Sequence, residues 1–400
     1  MSTATGYEFW TLEAMADPYS IYQRLREEAP VLKDGNTWTL SRYREVAALL
    51  PDRRMSAVRG HLEGLEAEER ARYQALIDVN HDMILFLDPP NHTRLRGLVA
   101  QAFSARRIEA LRLRIAALVD ELLAGIEPGE PWDLIDRLAN PLPGLTIAEL
   151  IGVPTSDQPR FTAWADDYGA WLGALQEDAE LRERANRSAI ELSTYLRELV
   201  SERRAQPGDD LLSGLIQAEE EGDKLSEREM ISTVFLLLFA GNETTTNLIG
   251  NGMLQLLRHT DELARLRADP GLIRTAIEEM LRFDGPVQLT TRNVTEPIEL
   301  EDGRTIQPGE WIRFVLGAAN RDPEQFEDPD RLDIGRRPNR HVTFGHGIHF
   351  CLGAPLARAQ GQIAIAALVE RYPTLALATD DLRWRYNPVL RGLEELWLVH

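Results

Sequence analysis

Apolar residues recur at helical spacing along most of the chain, and short alternating runs gather in its C-terminal half. The helical spacing predicts helices over residues 19–28, 43–50, 91–103, 107–125, 139–151, 185–204, 226–258, 261–267, 272–282 and 355–372. Strand patterns cover 37–41, 290–294, 298–300, 311–316 and 396–399. Residues 53–87 are poorly periodic and predict a loop that contains one charged helix. The fold class that follows is mainly α with small β-sheets.

The longest predicted helix runs from Ser226 to Arg258 and would be about 50 Å long. Ser226 followed by Glu229 is typical of a capping box at its start. Residues 239–246 read FAGNETTT and lie in its middle, although the glycine and the β-branched threonines disfavour a helix by about 1–3 kcal/mol. Such a local conflict often marks function. The alternative is a threonine cluster that bonds back to carbonyls one turn earlier.

The chain is acidic, with 64 Asp and Glu against 44 Lys and Arg and a formal net charge of −20 over 400 residues. A protein that binds nucleic acid needs a basic surface for the phosphates, so the charge argues against that class. Residues 331–341 are an exception, because they hold four arginines shortly before the single cysteine, Cys351. This spacing indicates a local basic patch near Cys351 on an otherwise acidic protein.

No linker, low-complexity block or repeat divides the chain, so we expect one domain over residues 1–400. Residues 1–10 lack the features of a secretory leader, and no run reaches the roughly 18–20 apolar residues of a membrane span. One cysteine cannot form an internal disulfide, which fits a reducing compartment. We therefore expect a cytoplasmic protein that has no membrane segment.

Cys351 lies in the segment 344–353, which reads FGHGIHFCLG. The glycines allow tight bends and the close approach of a large flat ligand. Ala354-Pro355 marks a helix start, which places Cys351 at a helix N-terminus, where thiolate is favoured over thiol. An isolated cysteine is more often a small buried hydrophobe, and a catalytic nucleophile is a further alternative. A buried thiolate needs a cationic partner, which haem iron would supply.

The segment resembles the haem-binding signature of the cytochrome P-450 family, Phe-x-x-Gly-x-x-x-Cys-x-Gly, with matches at Phe344, Gly347, Cys351 and Gly353. The resemblance extends from about Asp17 to the C-terminus and is closest to the soluble bacterial members. It implies the cytochrome P-450 fold, which is a large helical domain with small β-sheets around a buried haem. It also implies haem b as the cofactor, with Cys351 as the axial ligand of the iron.

Residues 240–244 resemble the family's Ala/Gly-Gly-x-Asp/Glu-Thr motif on its long central helix. The resemblance implies that Ala240 and Gly241 line a groove for dioxygen and that Glu243 and Thr244 deliver protons. The cationic donors that it implies for the haem propionates are His92, Arg96, Arg292 and His349, and the other haem contacts are Phe344, Gly345 and Gly353. Without the resemblance, His92 and Arg96 would be solvated charges that share one helix face.

Glu279 and Arg282 are three residues apart on one predicted helical face. They resemble the family's Glu-x-x-Arg signature, a structural ion pair beneath the haem. The family adds a third member from a later segment, and residues 329–332, which read PDRL, make Arg331 the candidate. Without the resemblance, such a pair would be a surface ion pair that contributes little to stability.

The resemblance implies a monooxygenase that uses O2 to hydroxylate or epoxidise a hydrophobic small molecule in secondary metabolism or catabolism. All motifs lie in one haem domain without a fused reductase or ferredoxin, so electrons from NAD(P)H must arrive through a separate ferredoxin or flavodoxin and its reductase. The expected docking contacts on the cysteine face are Arg106, Arg107, Arg337, Arg340 and Arg358. The expected substrate pocket comprises residues 53–87, Leu237, Ala240, Gly241, Val287, Gln288, Leu289, Val389 and Leu390. We expect a monomer.

Three other functions remain open. A peroxygenase of the same fold would use hydrogen peroxide directly, although such relatives usually lack the acid–alcohol pair found at Glu243 and Thr244. A haem sensor or electron carrier would have no need of that pair. A helical enzyme without haem would use Cys351 as a nucleophile.

Overall fold

The computed structural model describes residues 11–59, 62, 64–174, 178–220 and 225–400. The prediction that residues 1–10 contain no secretory leader lies outside the described residues, as do residues 60, 61 and 63 of the predicted loop. The α-helices span Leu12–Ala16 (α1), Tyr19–Glu28 (α2), Tyr43–Leu49 (α3), Ala67–Arg72 (α4), Gln74–His81 (α5), Asn91–Ala100 (α6), Ala105–Leu122 (α7), Pro141–Ile151 (α8), Gln158–Gly173 (α9), Ala179–Ala205 (α10), Leu211–Glu220 (α11), Glu227–Arg258 (α12), Thr260–Ala268 (α13), Ile273–Phe283 (α14), Leu316–Ala319 (α15) and Ala354–Arg371 (α16). The β-strands span Val31–Asp34 (β1), Thr37–Leu40 (β2), Met55–Ser56 (β3), Trp132–Asp133 (β4), Leu289–Val294 (β5), Ile298–Glu299 (β6), Thr305–Ile306 (β7), Trp311–Val315 (β8), Ala376–Leu377 (β9) and Trp397–Val399 (β10).

The chain forms two compact units. The first comprises residues up to Ser56, Glu109–Leu142 and Thr244–His400, and the second comprises Ala57–Ile108 and Pro143–Glu243. The long helix α12 therefore contributes its N-terminal half to the second unit and its C-terminal half to the first.

The first unit contains a five-stranded sheet in the order β1-β2-β8-β5-β3. β2 and β8 are parallel, whereas β5 and β8 are antiparallel in a register that sets Arg292 opposite Ile312. Buried apolar side chains pack on this sheet and join it to α3. In the same unit α14 packs against α16, the helix that follows Cys351. The strand that carries Arg292 and the helix after the cysteine thus belong to the same unit.

The second unit is organised around α10, which packs against α9, α5 and α11. Tyr168 of α9 is fully buried, and its hydroxyl donates to Asn80 Oδ1 of α5 at 2.9 Å. Its ring lies edge-on against Phe239 of α12, with the ring centroids 5.0 Å apart. These contacts hold the N-terminal half of α12 in the second unit.

The start of α12 is the capping box that the sequence predicts. The backbone N–H of Ser226 donates to Glu229 Oε2 at 2.8 Å, and the backbone N–H of Glu229 donates to Ser226 Oγ at 3.2 Å. The helix then continues without interruption through residues 239–246. Packing along its length therefore outweighs the poor helix propensity of that segment.

The structure confirms the mainly α class and most of the predicted elements to within a few residues. One expectation was wrong. Residues 53–87 contain the two helices α4 and α5 instead of one. The helices α9 and α11 were not predicted, although α9 buries Phe161, Trp164 and Tyr168 at helical spacing. Among the residues described, no helix combines the length and the apolar character needed to cross a bilayer.

Candidate active site

Cys351 lies between a short 3₁₀ turn, Gly347–His349, and the first turn of α16. Its backbone N–H donates to the carbonyl oxygen of Phe344 at 2.8 Å, which closes residues 344–351 into a loop. Gly353 caps α16, and Pro355 occupies its first turn. The thiol is half-buried, and the helix N-terminus next to it favours the thiolate.

Two glycines of this loop have backbone conformations that other residues avoid. Gly345 has φ +70° and Gly347 has φ +75°, both in the left-handed region. A Cβ atom on Gly347 would also lie 2.7 Å from the Cα atom of Pro51. Glycine at the matched signature position 347 is therefore required both by the backbone angle and by the approach of a second segment.

Glu279 and Arg282 of α14 form a fully buried ion pair. The carboxylate accepts from Arg282 Nη2 at 2.7 Å and from Arg282 Nε at 2.8 Å, and neither side chain is exposed to solvent. Arg336 Nε donates to the same carboxylate at 3.2 Å, and Asn339 Nδ2 donates at 3.0 Å. The predicted pair is present, and it is a buried network instead of a surface contact.

The prediction that Arg331 supplies the third charge of this network was wrong. The Arg331 side chain is exposed, and the residue contributes only its carbonyl oxygen, which accepts from Arg282 Nη2 at 3.2 Å. The second cation on Glu279 is Arg336, five residues further along. Arg331 is exposed, whereas the Arg336 side chain is largely buried against Glu279.

The neighbouring residue Glu278 forms a separate cluster, which we call the Glu278 cluster: Glu278, His341, Phe344 and Arg358. Arg358 of α16 donates to the carboxylate through Nε at 2.7 Å and Nη2 at 2.8 Å, and the Nε2 atom of His341 lies 3.2 Å from it. The guanidinium of Arg358 lies 4.5 Å from the ring centroid of Phe344. Burial raises the pKa of Glu278, but the hydrogen bonds from Arg358 and His341 outweigh it and hold the pKa at about 2.

Arg358 was expected to contact a redox partner, and in the structure it is committed to Glu278 and Phe344. Arg337 and Arg340 are exposed in the same unit, as the docking prediction requires. In the second unit, Arg106 is exposed, and Arg107 is exposed and pairs with Asp209 at 3.3 Å.

The predicted dioxygen groove and proton donors fall on one stripe of α12. Between Met230 and Leu256 this helix is buried apart from a few partly exposed residues, which are Leu236, Ala240, Gly241, Glu243 and Thr244. Positions 236, 240 and 243–244 are spaced by three or four residues and so share one helical face. Four of the five residues are those to which the sequence assigned chemistry. Leu237, expected in the substrate pocket, is buried next to this stripe.

The expected propionate donors lie on three different elements. His92 is buried on α6, and Arg96 follows it by four residues on the same face with partial exposure. In the first unit, Arg292 on β5 donates to the Thr291 carbonyl at 2.7 Å and to Thr290 Oγ1 at 3.1 Å. His349 is partly exposed in the 3₁₀ turn before Cys351.

Two segments of the expected substrate pocket meet in the first unit. The backbone N–H of Gln288 donates to the Val389 carbonyl at 2.9 Å, and Val287 forms an isolated β-bridge with Leu390. Leu289 is opposite Val315 on β8 and is an odd number of residues from Arg292. Because side chains alternate along a strand, Leu289 and Arg292 project from opposite faces of the sheet.

A buried ion pair anchors the 389–391 segment. Arg391 Nε donates to Asp284 Oδ1 at 2.7 Å, and the Tyr19 hydroxyl donates to the same oxygen at 2.6 Å. Burial raises the pKa of Asp284, but the charge of Arg391 and the Tyr19 hydrogen bond outweigh it and lower the pKa below its usual value. The pair holds the segment that carries Val389 and Leu390 in place.

Comparison with models of protein families gives a match to the cytochrome P450 family over residues 176–270 and 271–390, which is more than half of the chain. The chain belongs to the cytochrome P450 family. This P450 also matches individual relatives along nearly its whole length. Cytochrome P450 107B1 of Saccharopolyspora erythraea is 45% identical over 391 residues, which are 95% of this chain and 94% of that protein.

Two further relatives match the chain with similar identity and coverage. The cytochrome P450 monooxygenase PikC of Streptomyces venezuelae is 44% identical, over 95% of this chain and 90% of its own. The polyketide biosynthesis cytochrome P450 PksS of Bacillus subtilis is 42% identical over 95% of both chains. The solved structure of PksS superimposes with a TM-score of 0.86 at 41% identity, over 97% of both chains. The P450 described here is thus a haem-thiolate monooxygenase with bacterial relatives, and the family implies a haem, a substrate, O2 and redox partners.

The residues of the Cys351 loop fit the haem that the family implies. Within the described ranges, no group of three or more His, Cys, Asp and Glu side chains could hold a metal ion by itself. A single thiolate fits haem iron, because the macrocycle brings the equatorial ligands and the protein supplies an axial one. Gly353 is the glycine beside the thiol, because a Cβ atom there would lie 4.0 Å from Cys351 Sγ.

Sequence reasoning missed Glu278, His341, Arg336 and Asn339. One signal was available, because Glu278 and Glu279 are adjacent carboxylates on a helix and so must face different partners. The identity of those partners was not accessible, since Arg358 is 80 residues from Glu278 in the chain and His341 is 63 residues away.

Proposed function

We propose that this P450 hydroxylates or epoxidises a hydrophobic small molecule, with Cys351 as the axial ligand of haem b. The observation that carries this is the Cys351 loop, in which a half-buried thiol lies at a helix N-terminus behind two glycines of positive φ. Thiolate-ligated haem, when bound, supplies the activation of O2. The roles of the other residues in this proposal are to bind the haem, to handle protons and to shape the substrate site.

His92, Arg96, Arg292 and His349 would hold the haem propionates as hydrogen-bond donors. Their sequence separation supports this, because four donors from distant segments can satisfy two carboxylates from several directions. Phe344, Gly345 and Gly353 would flank the thiolate in its loop. Ala240 and Gly241 would leave space for O2, since neither carries a side chain larger than methyl.

Glu243 and Thr244 would hold and move protons, at the Glu243 carboxylate and at Thr244 Oγ1. Their partial exposure on an otherwise buried helix supports this assignment. The neighbouring Thr245 and Thr246 are buried and are not assigned a role in proton transfer.

The proposed substrate is apolar, because Leu237, Val287, Val389 and Leu390 dominate the expected pocket. Gln288 adds an amide, and Leu289 stands on the opposite sheet face from Arg292, so we give it no substrate contact. PksS is named for polyketide biosynthesis, and a substrate from secondary metabolism or from catabolism fits the apolar pocket residues.

The proposed electron source is NAD(P)H, through a ferredoxin or flavodoxin and its reductase. Arg106, Arg107, Arg337 and Arg340 remain the proposed contacts for an acidic partner, whereas Arg358 is engaged with Glu278. A single haem domain over residues 1–400, a cytoplasmic location and a monomeric state complete the proposal. The single cysteine supports a reducing compartment.

The first experiment is the spectrum of the reduced, carbon-monoxide-bound protein. A Soret band at the wavelength that gives the family its name is expected for the wild-type protein and should be lost in Cys351→Ala. Absence of bound haem in the wild-type protein would refute the proposal. Thr244→Ala should then uncouple oxygen consumption from product formation, with Thr245→Ala as the control. Turnover with peroxide alone and none with redox partners would favour a peroxygenase.

A further inference from the structure

We propose that Glu278 and Arg358 are a charge-balanced positioning pair that fixes the Cys351 loop and sets the electrostatic potential at its thiolate. The inference rests on the proposed function, in which Cys351 binds the haem iron. It goes beyond that function because it assigns a role to two residues outside the haem-binding signature. It also withdraws Arg358 from the set of partner-docking arginines.

Glu278 contacts residues both before and after the cysteine in the chain. Glu278 is on α14, Arg358 is on α16 two turns after Cys351, and His341 precedes the loop by three residues. Arg358 lies over the Phe344 ring, and the Phe344 carbonyl accepts the backbone N–H of Cys351 at 2.8 Å. A short series of direct contacts therefore connects the Glu278 carboxylate to the backbone of the proposed iron ligand.

The charges in the pair cancel. Arg358 makes a two-point contact with Glu278, which holds both side chains in one geometry although each is roughly a quarter to a third exposed. The next carboxylate, Glu279, is paired with Arg282 and Arg336 and does not neutralise Arg358. Loss of the Glu278 charge would therefore leave a net positive charge beside the loop, and loss of the Arg358 charge would leave a negative one.

These two losses have opposite electrostatic consequences. A positive charge near the haem favours the reduced form, which carries one more electron, and so raises the reduction potential. A negative charge lowers it. A residue that only stabilises the fold would move both variants in the same direction or in neither. The sign of the shift therefore separates an electrostatic role from a structural one.

The test is a spectroelectrochemical titration of the full-length, haem-loaded protein and its variants. Glu278→Gln should shift the reduction potential upward, Arg358→Gln should shift it downward, and the double variant should return close to the wild-type value. Glu370→Gln is the matched control, since Glu370 is an exposed carboxylate in the last turn of the same helix α16. It should leave the potential unchanged.

Equal potentials in the wild-type protein and both single variants would overturn the proposal, and so would shifts of the same sign. If Glu278→Gln does not fold, the reduction potentials of Arg358→Gln and Glu278→Asp test the proposal. Arg358→Gln should still have a lower potential, and Glu278→Asp should keep most of the wild-type potential because Asp keeps the charge. A wild-type protein that lacks the family's carbon-monoxide band would refute the proposed function itself and this inference with it. A normal carbon-monoxide band together with reduction potentials that do not change in the variants would overturn this inference alone.

Discussion

Replacement of Glu279 by glutamine should destabilise the protein more than any comparable change to a surface carboxylate. Glu279 is fully buried and accepts hydrogen bonds from Arg282, Arg336, Asn339 and the backbone N–H of Asp333, the last at 3.0 Å. Glutamine preserves the size of the side chain. It removes the negative charge, however, and turns one acceptor oxygen into a donor that faces other donors.

The magnitude follows from what remains around Arg282. Removal of one partner of a buried ion pair costs about 3–5 kcal/mol, because the other charge stays buried. Arg282 keeps three backbone acceptors, which are the carbonyls of Asn320 at 3.0 Å, Pro329 at 2.8 Å and Arg331 at 3.2 Å. We therefore expect the lower end, about 3 kcal/mol. That is a large part of a typical stability of about 5–15 kcal/mol.

Urea unfolding followed by far-ultraviolet circular dichroism measures this change through the midpoint at constant slope. The control is Glu28→Gln, since Glu28 pairs with Arg24 at 3.5 Å and both side chains are more than half exposed. The control should lose no more than about 0.5 kcal/mol. If Glu279→Gln loses as little as Glu28→Gln, the argument that this network is a buried anchor is wrong.

Three more predictions concern the cap, the loop and the pH response. Ser226→Ala should cost about 1 kcal/mol in the same unfolding assay, since it removes the oxygen that accepts from the first turn of α12. Gly345→Ala should cost about 1–2 kcal/mol through its positive φ alone, and Gly347→Ala should cost more because of Pro51; equal losses would contradict the contact argument. The pKa of Glu278 is lowered from 4.5 to about 2, so the ionised carboxylate stabilises the folded protein fully at neutral pH. This stabilisation is lost as pH falls through the acid range. The stability gap between wild-type protein and Glu278→Gln should therefore shrink as pH is lowered below about 4.5, and a constant gap would argue against the charge of Glu278.

The sequence was sufficient where structure depends on near neighbours. The capping box at Ser226 and Glu229 involves residues three apart, and both of its hydrogen bonds form. The turn into α16 depends on glycines and a proline next to Cys351, and the observed φ values match that pattern. The extent of α12 was also predicted, as Ser226 to Arg258 against the observed Glu227–Arg258.

The sequence was insufficient to predict which ion pairs form between residues that are far apart in the chain. Arg331 and Arg336 are five residues apart in a segment rich in arginine, and the sequence alone does not show which of them pairs with Glu279. Only the structure shows the turn between them, in which the backbone N–H of Arg336 donates to the Asp333 carbonyl at 3.0 Å. The Arg336 side chain is largely buried, and its guanidinium also donates to the carbonyls of Glu327 and Asp328 at 2.7 and 3.2 Å. The same reasoning applies to Arg358, whose place in the Glu278 cluster depends on the packing of α14 against α16 and not on any local pattern.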